Sequence, residues 1–135
     1  MTPTVTTALD YTLLEGDVSN RWRVLLNGII TYERGCALLE RLWDDPPYTA
    51  ATSALWDVGN CELPEFNELL NIAKYINKHK NDRGPRIVAF VSPAFASSAL
   101  ARAFRGFDRV ISLDLNFFGN AKDANAWLDK RTSEK

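Results

Sequence analysis

The chain has one histidine, two cysteines and one methionine among its 135 residues, and each scarcity closes off a class of chemistry. A lone His79 cannot supply a multi-histidine zinc site. Cys36 and Cys61 are too far apart for a CxxC or Cys/His ligand pattern. Charge of one sign is missing as well: sixteen basic residues face seventeen acidic ones, for a formal net charge of −1. That balance gives no general attraction for nucleic acid or an anionic membrane. No apolar run approaches the ~20 residues of a membrane-spanning helix. The opening ten residues have neither the basic nor the apolar region of a signal peptide. Phosphate-cradling loops are absent, since Gly28, Gly59 and Gly84 stand singly, and there is no G-x-S-x-G elbow. The expectation is a cytoplasmic protein with no cofactor and no metal.

What is present is apolar and aromatic. Hydrophobic residues make up 46% of the chain, with four Trp, seven Phe and four Tyr, enough for a packed core. Residues 10–131 read as one α/β domain between flexible termini, 1–9 and 132–135. Tyr11 to Glu15 and Arg21 to Leu26 flank a Gly-Asp-Val-Ser-Asn stretch, and the pattern Arg21, Trp22, Arg23, Val24 alternates as a half-buried strand does. A hairpin is expected there. Thr31 caps a helix over 32–44, whose stripe is Tyr32, Cys36, Leu39 and Trp43, and Asp45-Pro46-Pro47 stops it. Cys36 on that stripe reads as a buried, inert thiol.

A central strand follows over 52–58. Pro64 then opens a second helix, in which Leu63, Phe66, Leu69, Leu70, Ala73 and Ile76 keep helical period. The run 86–91 is continuously apolar, as in a strand buried on both faces. Ser92-Pro93 starts a third helix through Phe95, Ala99, Leu100, Ala103, Phe104 and Phe107, and a last strand covers 109–115. Asn120 and Asp123 form a capping pair for a terminal helix with Ala124, Trp127 and Leu128 inside. The order is ββαβαβαβα: an α/β fold with a mainly parallel sheet, one antiparallel strand and helices packed around it.

The segment from Trp22 to Thr31, then Leu55-Trp56-Asp57, then 87–91 and Asp123-Ala124-Asn125-Ala126-Trp127-Leu128 resembles SpoIIAA-like, STAS-type domains. It is most similar to their small bacterial STAS/SEC14-like branch. The resemblance spans roughly 10–130 and implies a non-enzymatic regulatory or interaction module. Anti-sigma-factor antagonists of this type carry a serine, usually in an Asp-Ser-(Ser/Thr)-Gly run, where the helix after the central strand begins. Phosphorylation there switches partner binding. The matching segment here, 58–65, contains no Ser, Thr or Tyr, so that acceptor is missing. The SEC14-like label implies an alternative, a carrier of a small apolar or lipid-like ligand.

The candidate surface comprises Asp57, Asn60, Glu62, Glu65, Ser92, Phe117 and Phe118. Asp57, ending the central strand, can act as an acid or base, bind a cation, accept phosphate, or simply hold the Gly59-Asn60 turn. An enzyme would centre on Asp57 with Asn60 and Ser92, although a receiver-type site lacks its lysine after the last strand. Ser92 reads as a helix cap or as part of an anion site. Glu62 and Glu65, with Glu68, face water or rim an acidic docking surface. His79, in the basic segment 78–83, is expected on a solvated face. Phe117 and Phe118 cannot both point inward from one strand face, so they suggest exposed apolar surface and self-association as a homodimer.

Overall fold

The run around Leu55 and Trp56 sends alternate side chains to opposite sides, each of which is covered. Ala54 and Trp56 enter one apolar core and Leu55 enters the other. The structure, a computed structural model, describes residues 9–16, 20–79, 85, 87–96 and 115–133. Along the chain stand β1 (Asp10–Glu15), β2 (Arg21–Ile29), α1 (Tyr32–Trp43), α2 (Pro46–Thr49), β3 (Ser53–Asp57), β4 (Cys61–Glu62), α3 (Phe66–His79), β5 (Ile87–Val91), β6 (Leu115–Phe118) and α4 (Ala121–Ser133). The sheet order is β1-β2-β3-β5-β6, with β4 paired to β2 off that path. Among the described strands only β1 and β2 run antiparallel; the other pairs are parallel. The expected mixed sheet is therefore observed.

One face carries the larger core, where Val24, Leu26 and Trp56 meet Leu38, Leu42 and Ile72 from α1 and α3. The other is smaller: Leu55, Ala89 and Val91 meet Ala124 and Leu128 of α4. Thr31 caps α1 as expected, its hydroxyl accepting from the Arg34 N–H at 3.2 Å. Asn120 opens α4, accepting from the Asp123 N–H at 2.8 Å and donating back to the Asp123 carboxylate at 3.2 Å.

A buried cation ties α4 to the sheet. The Arg21 side chain is only 1% exposed. Its Nε donates to Ser53 Oγ at 2.9 Å, and its Nη1 reaches Asn125 Oδ1 at 3.2 Å and Asp129 Oδ1 at 2.9 Å. Burying a guanidinium is tolerable because the carboxylate and the hydrogen bonds replace its water.

Several boundaries differ from expectation. Pro46 and Pro47 do not merely end α1; they occupy the first turn of α2, where a missing N–H costs little. The helix expected from Pro64 begins at Phe66, because 61–62 pair with β2 instead. After β5 the chain makes a 3-10 turn, Pro93–Ala96. The helix expected beyond it and strand residues 109–114 lie outside the described residues. So do 1–8, the loop residues 17–19, the basic positions 80–83, Gly84, Arg86 and 134–135. The last strand is described over Leu115–Phe118, so it runs past the expected end at Leu115 in register with Val88 to Val91.

Two further expectations are corrected. His79 is not a freely solvated group: its ring lies 5.2 Å from that of Trp43 and 5.0 Å from that of Tyr75. Phe117 and Phe118 do not form one exposed patch. Phe117 stacks on Phe90 at 5.2 Å on the larger core's side, and Phe118 packs against Trp127 at 5.6 Å on the other. Both are half-buried, Phe118 against α4 and Phe117 against Phe95 of the 3-10 turn that follows β5.

The Arg21 cluster should respond asymmetrically to substitution. Asp129→Ala strands a buried charge and should cost about 2–4 kcal/mol, whereas Arg21→Met should cost about half that, because Asp129 is already 61% exposed and can return to water. Urea unfolding of the two variants measures the difference; equal costs would contradict this account of the pair.

Candidate functional site

The carboxyl ends of the parallel strands form one edge of the sheet, where α/β proteins generally meet ligands and partners. β2 is longer than β3 and, after Leu25, changes neighbours. Gly28 takes φ 119°, a conformation that a Cβ disfavours, and Gly28 and Ile29 then pair with Cys61 and Glu62 of β4. This holds the β3–α3 loop down on the sheet edge. The Val58 N–H donates to Val91 O at 2.9 Å, the Cys61 N–H to Val58 O at 3.1 Å, and the Ile30 N–H to Glu62 O at 3.0 Å.

Asp57 belongs to this brace. Its Oδ1 accepts the Gly59 N–H at 3.0 Å, an Asx-type turn that fixes the corner. Asn60, Glu62 and Glu65 are exposed around it. Glu68 turns the other way, toward α1, where its Oε1 accepts the Tyr32 N–H at 3.3 Å. Ser92 is buried, and its Oγ accepts the Ala94 N–H at 3.2 Å while its own N–H donates to Phe118 O at 3.1 Å. It thus caps the 3-10 turn rather than an α-helix. The register Asp57–Val91–Phe118 brings the candidate residues to one edge, but their polar groups bond within their own turns.

Two features at this edge escaped sequence reading. Cys61 lies close enough to Asp57 to feel its charge; burial first, and that carboxylate second, push its thiol up to about 11. Such a thiol is a poor nucleophile at neutral pH. The second feature is an apolar cavity of about 40 Å³ beneath the loop, between the sheet and α1 and α3, with Ile30, Val58, Leu63, Leu69 and Phe95 in its wall. Gly35, also in the wall, marks a close approach of α1 to α3. It is a glycine inside a helix whose missing Cβ would sit 3.0 Å from Ile72 Cδ1. Among the described residues no group of three His, Cys, Asp or Glu side chains is arranged to hold a metal ion. No helix among them is long and apolar enough to cross a membrane.

Solved structures share this arrangement. A protein from the DUF3478 family of Shewanella loihica PV-4, described as having a SpoIIAA-like fold, superposes with a TM-score of 0.59, covering 95% of this chain and 99% of its own at 16% identity. The fold is SpoIIAA-like. An anti-sigma factor antagonist from Mycobacterium paratuberculosis matches with a TM-score of 0.57, again at 16% identity, over 90% of this chain and 94% of its own. No family model and no curated protein matches the sequence. At this identity the likeness establishes the SpoIIAA-like fold and nothing finer.

Alkylation tests the geometry around Cys61. With its thiol pushed up to about 11, reaction with iodoacetamide at pH 8 should be about 100-fold slower than for an unhindered cysteine. Asp57→Asn removes the neighbouring negative charge and should speed it roughly threefold, as read by mass spectrometry of the modified peptide. An unchanged rate would mean that Asp57 does not act on the thiol.

Proposed function

We propose that this SpoIIAA-like chain is a non-enzymatic protein-interaction module whose contact surface is the braced loop 57–65, and that it works without a phospho-acceptor there. The observation that carries this reading is the combination of a fixed backbone and free side chains. Main-chain hydrogen bonds hold the loop on both sides, while Asn60, Glu62 and Glu65 face solvent. A loop ordered in advance loses little entropy on binding, so its contacts go into affinity. Asp57 is engaged in its own turn and Ser92 in its cap, which favours presentation of a surface over acid–base chemistry. The acidic rim suits a partner with basic side chains at its contact.

A second reading, carriage of a small apolar ligand, is favoured by the cavity under the same loop. Its 40 Å³ is well below the roughly 150 Å³ of an engineered apolar cavity that takes benzene. A ligand the size of a lipid chain would therefore require α1 and α3 to part.

Site-specific photocrosslinking separates the readings. A benzophenone side chain at Asn60 or Glu62 should give a discrete adduct with a partner protein in extract from the source cells, and the same group at Lys122 should not. The double variant Glu62→Lys, Glu65→Lys should lose the adduct at least tenfold with its thermal midpoint intact. Equal labelling from both positions would refute the loop as the contact surface. Native mass spectrometry of the purified chain addresses the second reading: a bound apolar molecule lost on Gly35→Leu is its expected result, and a bare protein mass at all conditions would overturn it.

A further inference from the structure

The cavity of about 40 Å³ and the acidic loop share a wall. Val58 and Leu63, at the two ends of that stretch, line the cavity, whereas Asn60 and Glu62 between them are exposed. One short segment therefore separates the apolar space from the surface assigned above to partner contact.

The chemistry of the cavity selects its occupant. Every described residue that lines it is apolar or glycine. The one donor among those side chains, Trp56 Nε1, is committed to the Tyr48 hydroxyl at 3.1 Å. A molecule carrying a charge or a hydrogen-bonding group would lose its water there and gain no partner. The fitting class is a small, uncharged, hydrocarbon-like molecule, which apolar cavities accept. Size matters next. An engineered cavity that takes benzene measures roughly 150 Å³, so a ring of that size overfills this one and a wall must move.

The walls are not equally held. β2, β3 and β5, which supply Leu26, Trp56 and Phe90, each have a hydrogen-bonded neighbour on both edges. α1 and α3 are fastened to each other. The Tyr75 hydroxyl donates to the Glu40 carboxylate, the Trp43 and Tyr75 rings stack at 5.7 Å, and Glu68 accepts the Tyr32 N–H. Arg41 in turn joins α1 to Asp10 of β1 at 3.2 Å. The loop's hold on the sheet is the shortest among the described residues: the two-residue β4 and the Val58–Val91 and Ile30–Glu62 main-chain bonds. Segments held by few bonds and few buried contacts open first.

We infer that the cavity is a control site for the loop: a small hydrocarbon-like molecule entering it pushes Val58 and Leu63 outward, unpairs β4 from Gly28 and Ile29, and so alters the acidic surface offered to a partner. The two loop positions differ in the space beneath them, which supplies the differential affinity that a ligand-driven shift requires. The inference rests on the loop being the contact surface. It also changes the role of the cavity from that in the carrier reading, since the occupant acts on the loop instead of being cargo.

The test is an NMR titration of the full-length, isotopically labelled chain with benzene. Expected are saturable shifts of the Val58, Leu63 and Leu69 methyl groups together with the amides of 59–62. Alkylation of Cys61 by iodoacetamide should become at least threefold faster at saturation, because lifting the loop relieves the burial that pushes its thiol up to about 11. Ala73→Val and Gly35→Ala each add carbon to the cavity wall and should abolish both responses with the circular dichroism spectrum unchanged. Methyl shifts with the amides of 59–62 unmoved would overturn the coupling. Amide shifts spread along 66–79 instead would make the helices the yielding wall and overturn it too. Absence of any saturable shift up to the solubility limit of benzene would overturn the site itself. These readouts need no partner, so a missing crosslink at Asn60 would strike the loop reading while the benzene response stood.

Discussion

β3 is hydrogen-bonded to a parallel neighbour on each edge and covered by side chains on each face, and most of the architecture follows from that enclosure. Parallel neighbours cannot be joined by tight turns; each join needs a crossover long enough to hold a helix. Helices placed by those crossovers cover one face, so the other needs a separate element. α4 is that element. It packs on β5, β3 and β6 and, through Arg21, is tied to the start of β2.

Enclosure also explains which parts could be read from the sequence. β3 and β5 are legible because burial on both faces leaves a continuous apolar run, and α1 is legible because a capped, one-sided stripe can be nothing else. The hairpin pair is marked by the alternation from Arg21 to Val24. The two-residue β4 is illegible, since its pairing depends on how far β2 overshoots β3 and on the bend at Gly28. That the last strand continues past Leu115 to Phe118 was not legible, because its register with β5 is set by neighbours distant in sequence. Phe117 and Phe118 do point to opposite sides of the strand, as alternation requires, but neither is fully exposed, since each meets an aromatic neighbour that the sequence alone does not place.

At the site, local chemistry was legible and spatial chemistry was not. Asp57 holding its Gly59-Asn60 corner and Ser92 capping the turn after Pro93 are interactions within three residues, and residue types alone announce them. The ring contact of His79 with Trp43 and Tyr75 and the cavity under the loop require knowing how α1 and α3 lie together, and the nearness of Cys61 to Asp57 requires knowing how the loop pairs with β2. Arg21 and Arg23 make the point sharply. They are two apparently equivalent basic residues of one alternating strand, yet one is wholly buried and partnered by α4 and the other is half-buried with no such partner among the described residues.

The Arg21 cluster joins positions 104 residues apart along the chain. A chain emerging from the ribosome makes Arg21 first and Asn125 only 104 residues later, so the guanidinium stays hydrated through that interval of synthesis. Until α4 docks, the apolar side chains of β3 and β5 on that face are exposed to other chains. Docking of α4 therefore withdraws a charge and an apolar strip from solvent together, and a chain halted short of α4 carries both in the open.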